Sequence, residues 1–368
     1  MTETLGAPSQ QPLTMNRRRM LASTALSAAG LTGLASLVAC GSSTTSASTS
    51  GSSAAGSGPF PSHPQWNFVF VNHVTTNAFF TPTRYGIADA CALLGCKYQW
   101  VGSESSVVSE MVDAMNSAIS SKADGIAVAL IDNNAFNAPT DQALAAGIPV
   151  VAYNADVPAG SPNKRLAYIG QDLYQSGLQV GAKIVSLVPS GDIVGFIATP
   201  GSLNIQPRID GIKAAIKNSG KPINFVEIAS GATINVEGPA IDAYYQGHKN
   251  LKGMVAVDGG STASVGQTME KYSLAAAGVH AGGYDLEPVT LAEVGKGNLD
   301  FTIDQQPYLQ GFLPVVQMFL YKLSGGLAQP STTDTGLLFV TKDNVGNYTK
   351  VATRFEGSSD KELIVTPS

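Results

Sequence analysis

From Trp66 onward, short unbroken apolar segments alternate with longer segments whose apolar residues recur at helical spacing, and few folds accept that pattern. A strand with continuous apolar side chains must be covered on both faces, which a parallel sheet between helical layers provides. The pattern predicts strands at 67–71, 98–101, 126–131 and 150–153. Between them it predicts helices over 82–95, where Ile87, Ala88, Cys91 and Leu94 share a face, around Val108–Ile119, and over 136–146. After Tyr168-Ile169-Gly170 and a helix over 175–187 the alternation restarts. Strands are expected at 193–198, 223–228, 253–257, 279–283 and 299–303, then a helix over 308–323 and a ragged tail. The fold class is α/β, with two doubly wound parallel-sheet units in tandem and no residue-level repeat.

The segment before this pattern has a different character. Arg17-Arg18-Arg19 precede an apolar run from Met20 to Val38, which ends in Leu37-Val38-Ala39-Cys40. A basic start, a short apolar stretch and small residues before a cleavage point describe an export signal. Spanning a bilayer takes about 20 apolar residues, and this run is interrupted by Ser, Thr and Gly, so a removable signal fits better than a permanent helix. The small residues before Cys40 resemble a bacterial lipoprotein box, and the Arg-Arg-x-Met-Leu order resembles a twin-arginine signal. Residues 1–39 are therefore expected to be removed, with Cys40 lipidated. Residues 40–65 form a Ser/Gly-rich tether with a reach of roughly 25 Å.

What remains is about 300 residues, enough for two domains of about 100–200 each. The net charge of −5, with no Lys/Arg cluster beyond the signal, argues against nucleic acid, which demands a basic face. Of three cysteines, Cys91 and Cys96 lack metal-site spacing and point in different directions on a helix, so two buried small hydrophobes are expected rather than a disulfide. Four scattered histidines form no ligand pattern, and neither a metal nor a cofactor is expected.

Open α/β sheets bind ligands outside the carboxyl ends of their strands, so the residues that follow each strand matter most. Asn72-His73 and Asn77-Ala78-Phe79-Phe80 follow the first strand. Asp132-Asn133-Asn134 follow the third, and Asn154 and Asp156 the fourth. In the second unit a Pro/Gly/Ser loop leads to Arg208; later strands end in Asp258-Gly259-Gly260-Ser261, Tyr284-Asp285 and Asp304-Gln305-Gln306. Carboxylates, amides and a guanidinium make paired hydrogen bonds to vicinal hydroxyls, and an aromatic face packs on the C–H face of a sugar ring. Each hydroxyl of a buried polyol needs a partner, and this mixture supplies them. Asn and Asp also cap helices and form turns, which is the simpler reading for Asp132, Asn133 and Asp156. At Arg208 and Asp285 a charge at a strand end needs a partner, which favours a ligand role. Of the Phe79–Phe80 pair, one ring is expected to face the cleft.

Asn77-Ala-Phe-Phe, Tyr153-Asn154, Gly283-Tyr284-Asp285 and Thr302-Ile303-Asp304-Gln305-Gln306-Pro307, taken in order, resemble the type I periplasmic sugar-binding proteins of ABC importers, the group that includes ribose- and galactose-binding proteins. The resemblance spans about Trp66 to Val340. It implies two lobes joined by a three-strand hinge, 66–170 plus 306–331 and 171–305 plus 332–356, with 357–368 a tail. It implies that Asn77, Phe79, Phe80 and Asn154 hold a sugar from the first lobe, and Arg208, Asp258, Asp285 and Gln305 from the second lobe and hinge. The implied partners are a monosaccharide or polyol and the membrane permease of an importer, with the protein a monomer held outside the cytoplasm by the lipid on Cys40. Three departures argue against ribose. Asn154-Ala155 stands where ribose-binding relatives have Asp-Arg, no aromatic lies near Ala232-Thr233-Ile234, and Asp258 replaces an Asn.

Three other functions are weighed against these features. A secreted sugar-processing enzyme would use carboxylates such as Asp258 and Asp285 as acid and base, but there is no Gly-x-Ser-x-Gly elbow, Gly-x4-Gly-Lys loop or His-based motif. A sensor lipoprotein would bind the same ligand and signal to a receptor. A two-lobed regulator would need a basic helix-turn-helix segment, which is missing.

Overall fold

The computed structural model describes residues 61–327 and 331–350. The predicted signal 1–39, Cys40, the tether up to residue 60 and the tail lie outside the described residues.

The first sheet is built from β1 (Asn67–Asn72), β2 (Lys97–Gly102), β3 (Gly125–Val128), β4 (Val150–Tyr153), β5 (Ala167–Gly170) and β11 (Thr332–Asp334), in the order β11-β5-β4-β3-β1-β2. All its pairings are parallel, with Phe68 opposite Tyr98 and Gly125. The helices α1 (Thr81–Leu94), α2 (Val108–Ser120) and α3 (Asn137–Ala145) connect successive strands. β3, β4 and β5 are buried along their whole length, as continuous apolar strands covered on both faces must be.

The second sheet has the order β7-β6-β8-β9, from β6 (Gly191–Ile197), β7 (Ile223–Ala229), β8 (Gly253–Ala256) and β9 (His280–Gly282). Its connecting helices are α5 (Gln206–Ser219), α6 (Ile234–Gly247) and α7 (Gly259–Lys271); α4 (Leu173–Leu187) precedes β6 and α8 (Pro288–Lys296) follows β9. One apolar cluster forms around the first sheet and two more within the second lobe.

The chain passes between the lobes three times. The first passage joins β5 to α4. The second leaves β10 (Thr302–Asp304) and enters α9 (Pro307–Leu323), which packs on α1 in the first lobe. Gly86 of α1 and Gly311 of α9 let the two helix backbones touch, since a Cβ at either would overlap the facing carbonyl oxygen of Tyr308 or Thr83. The third passage joins β11 to β12 (Leu338–Val340), which pairs antiparallel with β10. A short helix, α10 (Gly346–Lys350), follows.

Two expectations need correction. The stretch after residue 323 is not a ragged tail, and residues 332–334 do not go with the second lobe. Thr332–Asp334 extends the first sheet, with Thr332 opposite Tyr168, so the passage falls after Asp334. A three-residue Thr-Thr-Asp edge strand is mostly exposed and has no apolar signature to read. Cys91 and Cys96 are buried and unbridged.

Candidate functional site

All eight residues expected to meet a ligand line one cavity of about 90 Å³ between the lobes: Asn77, Phe79, Phe80, Asn154, Arg208, Asp258, Asp285 and Gln305. Strand ends and helix starts of both lobes border it, together with Gln305 of the hinge.

The first lobe presents rings and amides. Asn77 precedes a 3-10 turn at Ala78–Phe80, and its side-chain oxygen accepts the Phe79 N–H at 2.9 Å, which leaves the amide nitrogen for the cavity. Phe80 is 2% exposed and packs edge-on against Phe79 (4.7 Å) and His73 (5.4 Å). Phe79 remains half-buried, so it is the ring open to the cleft and Phe80 braces it.

The hinge carries a continuous amide relay. Asn154 Nδ2 donates to Gln310 Oε1 (3.0 Å), Gln310 Nε2 to Gln305 Oε1 (3.1 Å), and Gln305 Nε2 to Asp285 Oδ1 (2.6 Å). A residue of the first lobe is thereby tied to one of the second through two hinge glutamines. Asn154, Asp285 and Gln306 all sit at positive φ (63°, 76° and 59°), a conformation non-glycine residues seldom adopt. Such strain collects where a site over-determines the backbone.

Arg208 enters from the first turn of α5 and is 3% exposed. Its Nη1 donates to Val257 O (2.8 Å) and Nη2 to Gln171 Oε1 (3.0 Å), and the guanidinium lies 4.1 Å over the Tyr284 ring. Nε has no partner. Asp258 caps α7: Oδ1 accepts Ser261 N–H (2.9 Å) and Oδ2 accepts Ala198 N–H (3.1 Å). The capping role and the cavity position therefore coincide in one residue. Asp156, in contrast, is held by Arg165, and Asp132 accepts the N–H groups of Asn134 and Ala135, as turn formers would.

Among the lining residues outside the expected eight are His73, Asn204, Glu237 and Glu287. His73 stands directly after β1 and faces Asn204 of the second lobe at 3.2 Å. Ser202 Oγ donates to Asn204 Oδ1, so the Asn204 amide nitrogen donates to His73 Nε2. The His73 proton then sits on Nδ1, which is buried without a partner. Burial pushes the His73 pKa down to about 4, so the ring is neutral. The other two are Glu237, in the first turn of α6, and Glu287, just ahead of α8.

Burial dominates the site's acids. It pushes Glu237 up to about 8, helped by the neighbouring Asp258 carboxyl, and Glu287 well above the usual carboxylate range, helped by Asp285. Asp285 is pushed up to about 6 by burial, against the opposing pull of Arg208 and Gln305. Among the described residues no cluster of His, Cys, Asp and Glu has metal-site geometry, and no helix is long and apolar enough to cross a membrane.

A family model of the periplasmic binding protein domain matches residues 68–325. The xylose/arabinose-binding protein XylF of Sulfolobus acidocaldarius is 50% identical over 314 residues, 82% of this chain and 77% of that protein. Among solved structures, an ABC-transporter solute-binding protein from Burkholderia graminis in complex with D-arabinose has a TM-score of 0.70 at 25% identity, covering 76% of this chain and 96% of the other. A carbohydrate transporter protein from Acidothermus cellulolyticus in complex with myo-inositol has a TM-score of 0.69 at 24% identity, covering 78% and 98%, a likeness of fold.

Proposed function

The chain belongs to the periplasmic binding protein domain family, and from that premise we propose that it is an extracytoplasmic lipoprotein that captures a monosaccharide between its lobes and delivers it to an ABC importer. The observation that carries the reading is the convergence of strand-end amides, carboxyls, one guanidinium and an open phenyl ring on one small cavity. A sugar's hydroxyls need partners on every side and its C–H face needs an apolar one, and this lining supplies both. The 50% identity to a xylose/arabinose-binding protein favours a pentose. Closure follows from tighter binding to the closed form, in which both lobes touch the ligand. The proposal includes no turnover, so the sugar leaves as it entered. The lobes are taken as 66–170 with 306–327 and 331–334, and 171–305 with 335–350.

A thermal-shift panel of pentoses, hexoses, polyols and amino acids tests the ligand class, because a ligand bound only by the native state raises the melting point by mass action. A rise of several degrees with xylose or arabinose, recovered chemically unchanged, is expected. A response to amino acids alone, or a sugar converted to product, would refute the reading. The anchor is tested separately: Cys40→Ala moves the protein from the membrane to the soluble fraction, and retention in the membrane would remove the lipid from the proposal.

A further inference from the structure

The loop from β6 to α5, residues 198–205, leaves the second lobe and meets the first. It is braced along its length by its own lobe. Asp258 Oδ2 accepts the Ala198 N–H at its base, and Gly201 N–H donates to Gln206 Oε1 (2.7 Å). The N–H groups of Ile205 and Gln206 both donate to Ser202 O (3.1 and 2.8 Å). The shape of the loop is therefore set within the second lobe.

Successive residues at its tip do different work. Ser202, Asn204 and Ile205 line the ligand cavity. Leu203 instead joins the first lobe's apolar cluster and is 9% exposed; among the described residues it is the one buried member of that cluster supplied by the second lobe. Its N–H donates to the carbonyl of Ile131, just past β3 (3.2 Å). Beside it the Asn204 amide reaches His73 of the first lobe. Leu203 and Ile131 belong to different lobes, which the chain links only through the hinge passages. Parting the lobes must therefore pull Leu203 from its socket and break its bond to Ile131. Exposing a leucine side chain shifts a closed-to-open ratio by about ten- to a hundredfold.

We infer that Leu203 is a positioning residue for ligand capture: an apolar plug of the second lobe, seated in the first, that aligns Ser202, Asn204 and Ile205 at the cavity and sets how long the closed cleft retains a sugar. This rests on the sugar-binding reading above and goes beyond it, since the plug acts without lining the cavity. A ligand favours closure only through its own better contacts with the closed form. The plug adds a contribution that is present whatever the ligand is.

Stopped-flow binding of D-xylose and small-angle scattering of the sugar-free protein test this together. Leu203→Ala is expected to release xylose about tenfold faster while its association rate changes less than about twofold, because encounter precedes closure and retention follows it. Its sugar-free radius of gyration should rise above the wild-type value, and saturating xylose should bring both proteins to the same value. Leu203→Met, which refills the socket at nearly the same volume, should restore both readouts. An unchanged release rate would overturn the inference. So would faster release with unchanged sugar-free scattering, which would make Leu203 only a shaper of the cavity wall. If no sugar binds at all, the sugar reading falls and scattering alone decides: a larger Leu203→Ala particle upholds the plug, and an unchanged one removes it.

Discussion

Asp285 is held at φ 76° by its N–H bond to Ile303 O (2.9 Å) and by the Gln305 amide on its carboxyl. Arg208, which opposes the burial penalty on that carboxyl, is fixed by Val257, Gln171 and the Tyr284 ring. Neither side chain can relax away from the cavity without breaking these bonds. Asp285→Ala and Arg208→Ala are therefore each expected to cost at least about 2 kcal/mol of ligand affinity, the range for truncating a buried charged hydrogen-bonder. Calorimetric titration of both variants checks this, and near-normal affinity in the pair would show that the ligand binds elsewhere. These two residues could be read from sequence because a charge directly after an apolar strand, or at the start of the next helix, sits at the buried end of the sheet and must find a partner there. Glu237 could not, since an acid in the first turn of a helix is already favoured by the helix dipole. His73 follows its strand, but its role depends on Asn204, 131 positions away in the other lobe.

At the scale of elements, strands buried on both faces announced themselves as continuous apolar runs, and the helices between them by spacing and by glycine stops such as Gly95, left-handed at φ 66°. Among the elements missed were β11 and β12, three residues each, where burial is too partial to shape composition. Those short strands matter, because the third passage between the lobes runs between them. The Gly259–Gly260 pair stood in the sequence only as part of a strand-end run, Asp258-Gly259-Gly260-Ser261. Its use became visible only when α6 and α8 placed Glu237 and Glu287 over it. Whole helices, not residues, aim these side chains: a helix start at a strand's carboxyl end fixes where its first turn points.

Across the whole molecule the two lobes also touch directly. Leu203 of the second lobe is 9% exposed within the first lobe's apolar cluster, and its N–H donates to Ile131 O at 3.2 Å. Closing the cleft without a ligand leaves the buried acids facing one another, and stability should register this with pH. Glu237 titrates at about 8 in the folded protein against 4.5 in the unfolded chain, so the native state holds a proton the unfolded state releases. Stability from that group falls as pH rises between those values, and Glu287, Asp258 and Asp285 act in the same direction. His73 acts oppositely, at about 4 folded against 6.5 unfolded, so its contribution falls as pH drops through that lower window. Above pH 6.5 only the acids remain, and the ligand-free melting temperature is expected to decline from there to about pH 8. Glu237→Gln should flatten the decline; an equal slope in the variant would mean that Glu237 is ionised in the native state. By itself the sequence determined the α/β class, the division into two sheets and the polar character of the strand ends, because burial on two faces and exposure at a strand end each leave a local mark in composition; the eight residues found at the cleft were singled out by the order of their motifs. Only the tertiary structure decided which partners those residues meet, where the third passage runs, and that two further glutamates and a neutral histidine join them, because each depends on contacts between segments far apart in the chain.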